Sequence, residues 1–162
     1  MTMSPEQFTR MRLELGWSCQ DVANRVGISS NTIRHYGRIY ASRRHYPVHP
    51  RVFNYVLGVH AAVTAIPVPS PDAFRVRIKK GSKQEFRNMR EALGWSRVFL
   101  AKKLKIAHNN MIEMERDTNT APLNPLFWDY LVAVNDAINS VTIPANKAKY
   151  PKLDKTVTTS TY

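Results

Sequence analysis

An internal repeat limits the folds available to this chain more than any other feature. Residues 4–38 align with residues 82–116 at an offset of 78, with 12 identities in 35 positions and no gap. Ordinary residue usage gives about two identities by chance over such a length. The match resumes at an offset of 75, pairing residues 50–55 with residues 125–130. The sequence therefore predicts two similar domains in tandem.

The segment between the two copies has the composition of a linker. It contains Pro67, Pro69 and Pro71, which favour extended backbone, and then a basic run over residues 75–80. A short strand at residues 74–79 is an alternative for this run. The predicted boundaries are residues 1–63 for domain 1, 64–81 for the linker, 82–140 for domain 2 and 141–162 for a polar basic tail that is mobile or strand-like.

Each copy carries the start and stop signals of short helices. Ser4 followed by Gln7 is a capping box, and glycine at the end of the first helix tolerates the left-handed cap conformation. Serine then begins the second helix in each copy, and proline opens the fourth. The residues concerned are Gly16 and Gly94, Ser18 and Ser96, and Pro50 and Pro125. We expect a short third helix at about 30–38 and 108–116, and an all-α fold.

Apolar residues at helical spacing predict one core for each copy. Tryptophan at the junction of the first two helices is expected to pack in that core, and Ile33 is expected to point inward. The other predicted core residues are Phe8, Met11, Leu15, Val22, Ala23, Val26, Val52, Phe53, Val56 and Val59 in the first copy, and Phe86, Met89, Leu93, Leu100, Ala101, Leu104, Phe127, Trp128, Leu131 and Val134 in the second.

The charge balance points to a polyanionic partner. The chain holds 24 Lys and Arg against 12 Asp and Glu, a formal charge of +12. Cations placed against phosphates release counterions, so nucleic acid is the leading partner. Domain 1 carries a larger share of this excess than any other segment, with 8 basic and 3 acidic residues in 1–63.

Several other classes of protein are disfavoured. A single cysteine, Cys19, rules out an intramolecular disulfide and a cysteine-based zinc site. The five histidines lack metal-ligand spacing, and we find no nucleophile elbow, phosphate-binding glycine loop or carboxylate constellation. We expect no enzyme activity, no cofactor, no metal, no membrane span and no signal peptide.

The spacing of Leu15-Gly-Trp-Ser, Val22-Ala23, Val26-Gly-Ile-Ser29 and Thr32-Ile33 resembles the phage repressor and Cro type of helix-turn-helix. Leu93-Gly-Trp-Ser, Leu100-Ala101, Leu104-Lys-Ile106 and Met111 resemble it at matching places in the second copy. The resemblance covers about 120 residues. It implies two tandem lambda-repressor-like domains that bind duplex DNA, with the third helix of each in the major groove.

The resemblance also implies which residues meet DNA. In copy one the base-reading positions are Ser30, Asn31, Arg34 and His35; in copy two they are His108, Asn109, Ile112 and Glu113. The implied phosphate contacts are Arg12, Ser18, Arg38, Tyr40, Arg43, Arg44, Ser96, Arg97 and Arg116. A wider cationic patch in copy one includes Arg25, Arg51, His45 and the hydroxyls of Tyr36 and Tyr46.

The two copies differ in ways that bear on DNA contact. Residues 82–138 hold 8 basic and 7 acidic residues. Ile112 is expected to be exposed, and an exposed isoleucine and the carboxylate of Glu113 are poor phosphate partners. Copy two therefore either reads a different half-site, which we favour, or contacts protein. Family members often pair an arginine on the first helix with a glutamate closing the third, and Arg90 with Glu115 fits that spacing. Copy one has Gly37 in that place, so we hypothesise that Arg12 is freed to meet phosphate.

We therefore expect a sequence-specific regulator of the repressor kind, acting as a covalent pseudo-dimer on an asymmetric site in the cytoplasm and nucleoid of a bacterial or phage-infected cell. Self-association or a partner protein through domain 2 is a further expectation. The alternatives are a nucleoprotein that coats DNA or RNA, and an antitoxin-like adaptor that binds protein on a helix-turn-helix scaffold.

Overall fold

A computed structural model of the chain describes residues 4–37, 47–70, 83–116 and 125–143. The regular structure of these residues is entirely α-helical, which confirms the all-α class for the described part of the chain. The first half contains α1 (Pro5–Glu14), α2 (Cys19–Val26), α3 (Ser30–Tyr36) and α4 (Pro50–Thr64). The second half contains α5 (Lys83–Ala92), α6 (Arg97–Leu104), α7 (His108–Glu115) and α8 (Pro125–Ser140). The proposed strand at 74–79 and the tail beyond residue 143 lie outside the described residues.

The helix ends fall where the local sequence signals put them. The Ser4 hydroxyl accepts from the amide of Gln7, whose side chain accepts from the Ser4 amide, so the capping box is confirmed. Ser18 caps α2 in the same way with Asp21, and Ser96 caps α6. Helix α3 ends at Tyr36, before the predicted residue 38, because Gly37 closes it.

Each half buries the apolar face that its helical spacing predicts. Phe8, Val22 and Ile33 are completely buried in the first half, as are Phe86, Leu100 and Met111 in the second. Trp17 and Trp95 are also buried, at 1% and 2% exposure, so their assignment to the core is confirmed. Four of the predicted core residues lie at the margin and are only half-buried: Met11, Phe53, Met89 and Trp128. The turn residues Ile28 and Ile106 are half-buried in the same way.

The two halves pack against each other through α4 and α8 and through the turns that follow α1 and α5. The contacts are reciprocal. Trp17 Nε1 donates to the carbonyl of Leu93 over 2.9 Å, and Trp95 Nε1 donates to the carbonyl of Leu15 over 2.7 Å. The Leu15 and Leu93 carbonyls lie at the ends of α1 and α5, where carbonyls lack intrahelical partners. Each half therefore satisfies an orphan acceptor of the other.

Glycine makes this close approach possible. Gly16 and Gly94 have φ of +69° and +78°, a left-handed conformation that side chains disfavour. A Cβ on Gly16 would lie 2.6 Å from the Phe99 ring, and one on Gly94 would lie 3.0 Å from the Asp21 carboxyl group. Phe99 and Asp21 occupy equivalent positions of the repeat, so these contacts also exchange between the halves.

Within the described residues, every helix is too short or too polar to cross a lipid bilayer.

The contact between the halves predicts that replacement by alanine lowers the stability of the fold by different amounts at two glycines of equal φ. Gly16 and Gly27 both have φ of +69°, but a Cβ on Gly27 would meet no atom within 4 Å. Gly27→Ala should cost only left-handed strain, about 1–2 kcal/mol. Gly16→Ala should cost about 1 kcal/mol more, because the Phe99 ring must move. Urea unfolding of both variants measures the difference.

The Phe99→Ala background provides the control for this prediction. Removing the ring opens the space beside Gly16, so the two glycine substitutions should then cost the same. Equal losses of stability from Gly16→Ala and Gly27→Ala in the presence of Phe99 would contradict the packing between the halves.

Candidate nucleic-acid interface

Helix α3 has one buried side and one exposed side. Ile33 is fully buried, and Tyr36 packs edge-on against Phe8 with ring centroids 6.1 Å apart. Asn31 and Arg34 are exposed, which leaves an amide and a guanidinium on the outer surface. The structure thus confirms the inward position of Ile33. It corrects the assignment of Tyr36 to the cationic surface patch, because the ring belongs to the core.

The other two positions of copy one that the resemblance implies as base readers, Ser30 and His35, are half-buried in α3. The N-terminus of the helix is fixed by Ser29, whose hydroxyl accepts from the Thr32 amide and shares a 2.8 Å hydrogen bond with the Thr32 side chain. The cap is thus made by Ser29 and Thr32. The exposed side chains of Asn31 and Arg34 take no part in it.

The implied phosphate contacts of copy one are only partly within the described residues. Arg38, Tyr40, Arg43 and Arg44 lie outside them. Ser18 is exposed, but its hydroxyl donates to Asp21 over 2.6 Å and its amide donates to the same carboxylate over 2.7 Å. These donors are occupied within the chain, so a phosphate contact at Ser18 stays a prediction.

Arg12 is held by one main-chain contact. Its Nη1 donates to the carbonyl of Trp17 over 2.5 Å, as Arg90 Nη1 does to Trp95 over 2.6 Å. Among the described residues, no carboxylate lies within ion-pair distance of Arg12. A Cβ on Gly37 would lie 2.9 Å from the Thr9 hydroxyl, which itself has no hydrogen-bond partner among the described residues.

In the second half, the position equivalent to Gly37 is occupied by Glu115, which lies in a cluster of charged side chains. Glu115 is 1% exposed and accepts from Arg90 Nε at 2.6 Å and from Arg97 Nε at 2.7 Å. Arg87 donates to the Glu115 carbonyl over 2.7 Å. The paired Arg90 and Glu115 are thus confirmed. The implied phosphate residue Arg97 belongs to this cluster as well, with 41% of its side chain exposed.

The arginines control the ionisation of this carboxyl group. Burial by itself would raise the pKa of Glu115, but the guanidinium groups of Arg90 and Arg97 outweigh it and hold the pKa below its ordinary value. Glu115 is therefore ionised at neutral pH, and it ties the end of α7 to α5 and α6.

The outer face of α7 differs from that of α3. His108 and Asn109 are exposed, Ile112 is half-buried, and Glu113 is exposed. Glu113 pairs with Arg116 over 2.9 Å, so this implied base reader and this implied phosphate residue neutralise each other. The Ile112 position was expected to be exposed, and its partial burial is a correction. Ser96 is exposed and caps α6 through the Phe99 amide.

Arg25 was assigned to the cationic patch, and the structure corrects this. Its Nη2 donates to the carbonyl of Ala92 over 2.9 Å, and its guanidinium lies 4.6 Å from the centre of the Trp17 ring. Arg25 therefore belongs to the contact between the halves. It also lies beside Tyr55. Burial raises the pKa of the Tyr55 hydroxyl more than the nearby Arg25 lowers it.

The second half lacks this arginine. Lys103 occupies the equivalent position, and the hydroxyl of Tyr130, the counterpart of Tyr55, has no hydrogen-bond partner among the described residues. Burial raises the pKa of Tyr130 to about 12. Tyr55 in the first half thus has a cation beside it, and its counterpart Tyr130 is affected by burial alone.

Sequence reasoning missed two features of this region. The reciprocal tryptophan bonds were not foreseen, since a core tryptophan gives no sign of where its N–H finds an acceptor. The roles of Arg87 and Arg97 beside Glu115 were also missed. A signal existed: the first copy has Thr9, Cys19 and Gly37 at those three positions, so the charged residues are gained or lost together.

The described residues contain no group of three His, Cys, Asp or Glu side chains placed to hold a metal ion.

The buried carboxylate predicts a pH-dependent stability. A pKa lowered by folding contributes stability that is present above the unfolded value, near 4.5, and lost as the pH falls through the folded value. Glu115→Gln should therefore flatten the acid limb of the stability curve. At neutral pH it should cost on the order of 3 kcal/mol, because the buried Arg90 then keeps only the exposed Glu91 as a counter-charge.

Denaturant unfolding of both proteins between acid and neutral pH measures this effect. Glu91→Gln is the matched control, since Glu91 lies beside Arg90 but is 58% exposed. An unchanged acid limb in the Glu115 variant would show that the cluster contributes no pH-dependent stability.

Compared with known proteins, the chain matches no protein-family model, no curated protein and no solved structure.

Proposed function

We propose that this chain is a sequence-specific double-stranded DNA-binding regulator of the repressor kind, with a helix-turn-helix unit in each half. The two units act together as a covalent pseudo-dimer. In each half the second helix, a three-residue turn and a short third helix form the DNA-binding element, and the third helix enters the major groove.

The observation that carries this proposal is the outer face of α3. The buried Ile33 fixes the rotation of the helix, so Asn31 and Arg34 point to solvent. These are the two side-chain types that bind adenine and guanine in bidentate fashion through the major groove. A groove-reading helix needs this combination of a fixed inner face and extended donors on the outside.

Charge supports a nucleic acid over a protein as the partner. The formal charge of +12 is large for 162 residues, and the first half has the greater excess of cations. The excess charge supplies affinity for phosphates that does not depend on sequence, and base contacts then supply selectivity. A coating protein would share the first property and lack the second.

The proposal predicts losses of selective binding when the outer face of α3 is changed. Footprinting on the DNA that flanks the chain's own gene locates a site, since such regulators commonly act on themselves. On that site Arg34→Ala and Asn31→Ala should each lower affinity about ten- to a hundredfold, with little change on random duplex.

Arg10→Ala is the matched control for charge. Arg10 lies on α1 with 67% of its side chain exposed, and its one ion pair within the described residues is a 3.9 Å contact with Glu14. Its loss should leave selectivity unchanged. A site bound no better than random duplex at about 150 mM salt would favour a coating protein, and weak binding at low salt would favour an adaptor.

The hypothesis about Arg12 gives a separate prediction. If its guanidinium meets a phosphate, Arg12→Ala should weaken binding to all duplexes alike and reduce the dependence of log affinity on log salt by about one unit. Arg90→Ala is an unsuitable comparison because it breaks a buried ion pair, so Arg10→Ala again provides the reference. An affinity and a salt slope equal to those of the parent would remove the hypothesis.

A further inference from the structure

The contacts between the halves have the symmetry of a two-fold dimer. In such an interface, if residue i of one unit contacts residue j of the other, then j also contacts i. Trp17 donates a hydrogen bond to the Leu93 carbonyl, and Trp95 donates one to the Leu15 carbonyl. The two tryptophans are equivalent positions of the repeat, and so are the two leucines. A head-to-tail arrangement would join two different surfaces and would give no such exchange.

The glycine contacts follow the same rule. Asp21 in α2 lies against Gly94. Phe99, which is the counterpart of Asp21 in α6, lies against Gly16. Packing of α4 against α8 joins one helix to its own counterpart, as a two-fold axis requires. Two copies that follow one another in sequence are therefore placed as an inverted pair, with α3 and α7 related by an approximate two-fold.

An inverted pair of reading helices matches an inverted pair of half-sites, because the symmetry of a DNA site mirrors that of the protein. The outer faces of the two helices are alike at one position and different at another. Asn31 and Asn109 are equivalent and both exposed, whereas exposed Arg34 is replaced by half-buried Ile112. Asparagine pairs with adenine, arginine with guanine, and an apolar side chain with the methyl group of thymine.

We propose that the chain recognises an imperfect inverted repeat. Its two half-sites lie in opposite orientation, share adenine where Asn31 and Asn109 make contact, and differ where Arg34 meets guanine and Ile112 meets thymine. This inference rests on the proposed function and adds to it the orientation of the half-sites and the base pair at which they differ.

Selection from duplexes randomised over about 30 base pairs, long enough for two half-sites one helical turn apart, tests the proposal with the full chain. The expected product is an inverted repeat with guanine in one half-site and thymine at the matching place in the other. Direct repeats, a lone half-site or a perfect palindrome would overturn the inference and leave the proposed function standing. Enrichment of no sequence would overturn the proposed function itself.

Exchange of the differing residue tests the base assignment. Ile112→Arg should change the second half-site from thymine to guanine and make the selected repeat more nearly palindromic, with at least a tenfold preference for the new base. Asn139→Arg is the matched control, since it adds the same charge at an exposed position of α8 and should leave the selected sequence unchanged. An unaltered second half-site in the Ile112 variant would overturn the assignment.

Arg34→Ile is the converse variant, and it keeps the test decisive if Ile112→Arg unfolds. It should replace guanine by thymine in the first half-site, giving a palindrome of the other kind. Spacing gives an independent check. Insertion of about five base pairs between the half-sites, half a helical turn, should reduce affinity to that of one half-site. Undiminished binding to the longer site would show that the halves do not act as a fixed pair.

Discussion

Two buried indole N–H groups connect the two cores of this chain. Each tryptophan lies within its own half, where Trp17 stacks on Tyr55 and Trp95 lies against Tyr130. A buried indole N–H needs an acceptor, and each finds it in a carbonyl at the end of the first helix of the other half. Separation would leave two donors and two carbonyls to be solvated again, at about 1–3 kcal/mol for each group that stays buried and unsatisfied. The cores and the contact between them are therefore mutually dependent.

The repeat preserves this framework and varies the surface around it. The first half has a threonine and a glycine where the second has two members of a buried charged cluster, Arg87 and Glu115. In the second half, Glu115 accepts hydrogen bonds from Arg90 and Arg97, so one positive charge of that half is balanced inside the fold. The first half leaves Arg12 without a described carboxylate partner. One backbone arrangement thus has two electrostatic surfaces, with the larger excess of cations on the first.

The sequence predicted local structure well and contacts between the halves poorly. Capping residues and glycines determine helix ends through atoms a few positions apart, so Ser4, Ser18 and Gly16 could be interpreted directly. Arg25 has the sequence context of a surface cation, and only the approach of the second half brings the Ala92 carbonyl to it. Tyr36 was misassigned for another reason, because it lies three residues after Ile33 and so shares the buried side of α3, where its ring packs against Phe8. The pairing of Arg90 with Glu115 was foreseen because both residues belong to one half. The outer faces of α3 and α7 were predicted residue by residue, but their relative orientation depends on the interface.

Joining both halves in one chain changes how their association responds to dilution. A dimer of separate chains dissociates as its concentration falls, and its stability depends on protomer concentration. Here the tryptophan bonds form within one molecule, so their formation is independent of concentration. A pair of separate chains must first meet, which makes the amount of dimer rise with the square of a low chain concentration. For the fused molecule, the number of assembled pairs rises in direct proportion to the amount of protein made.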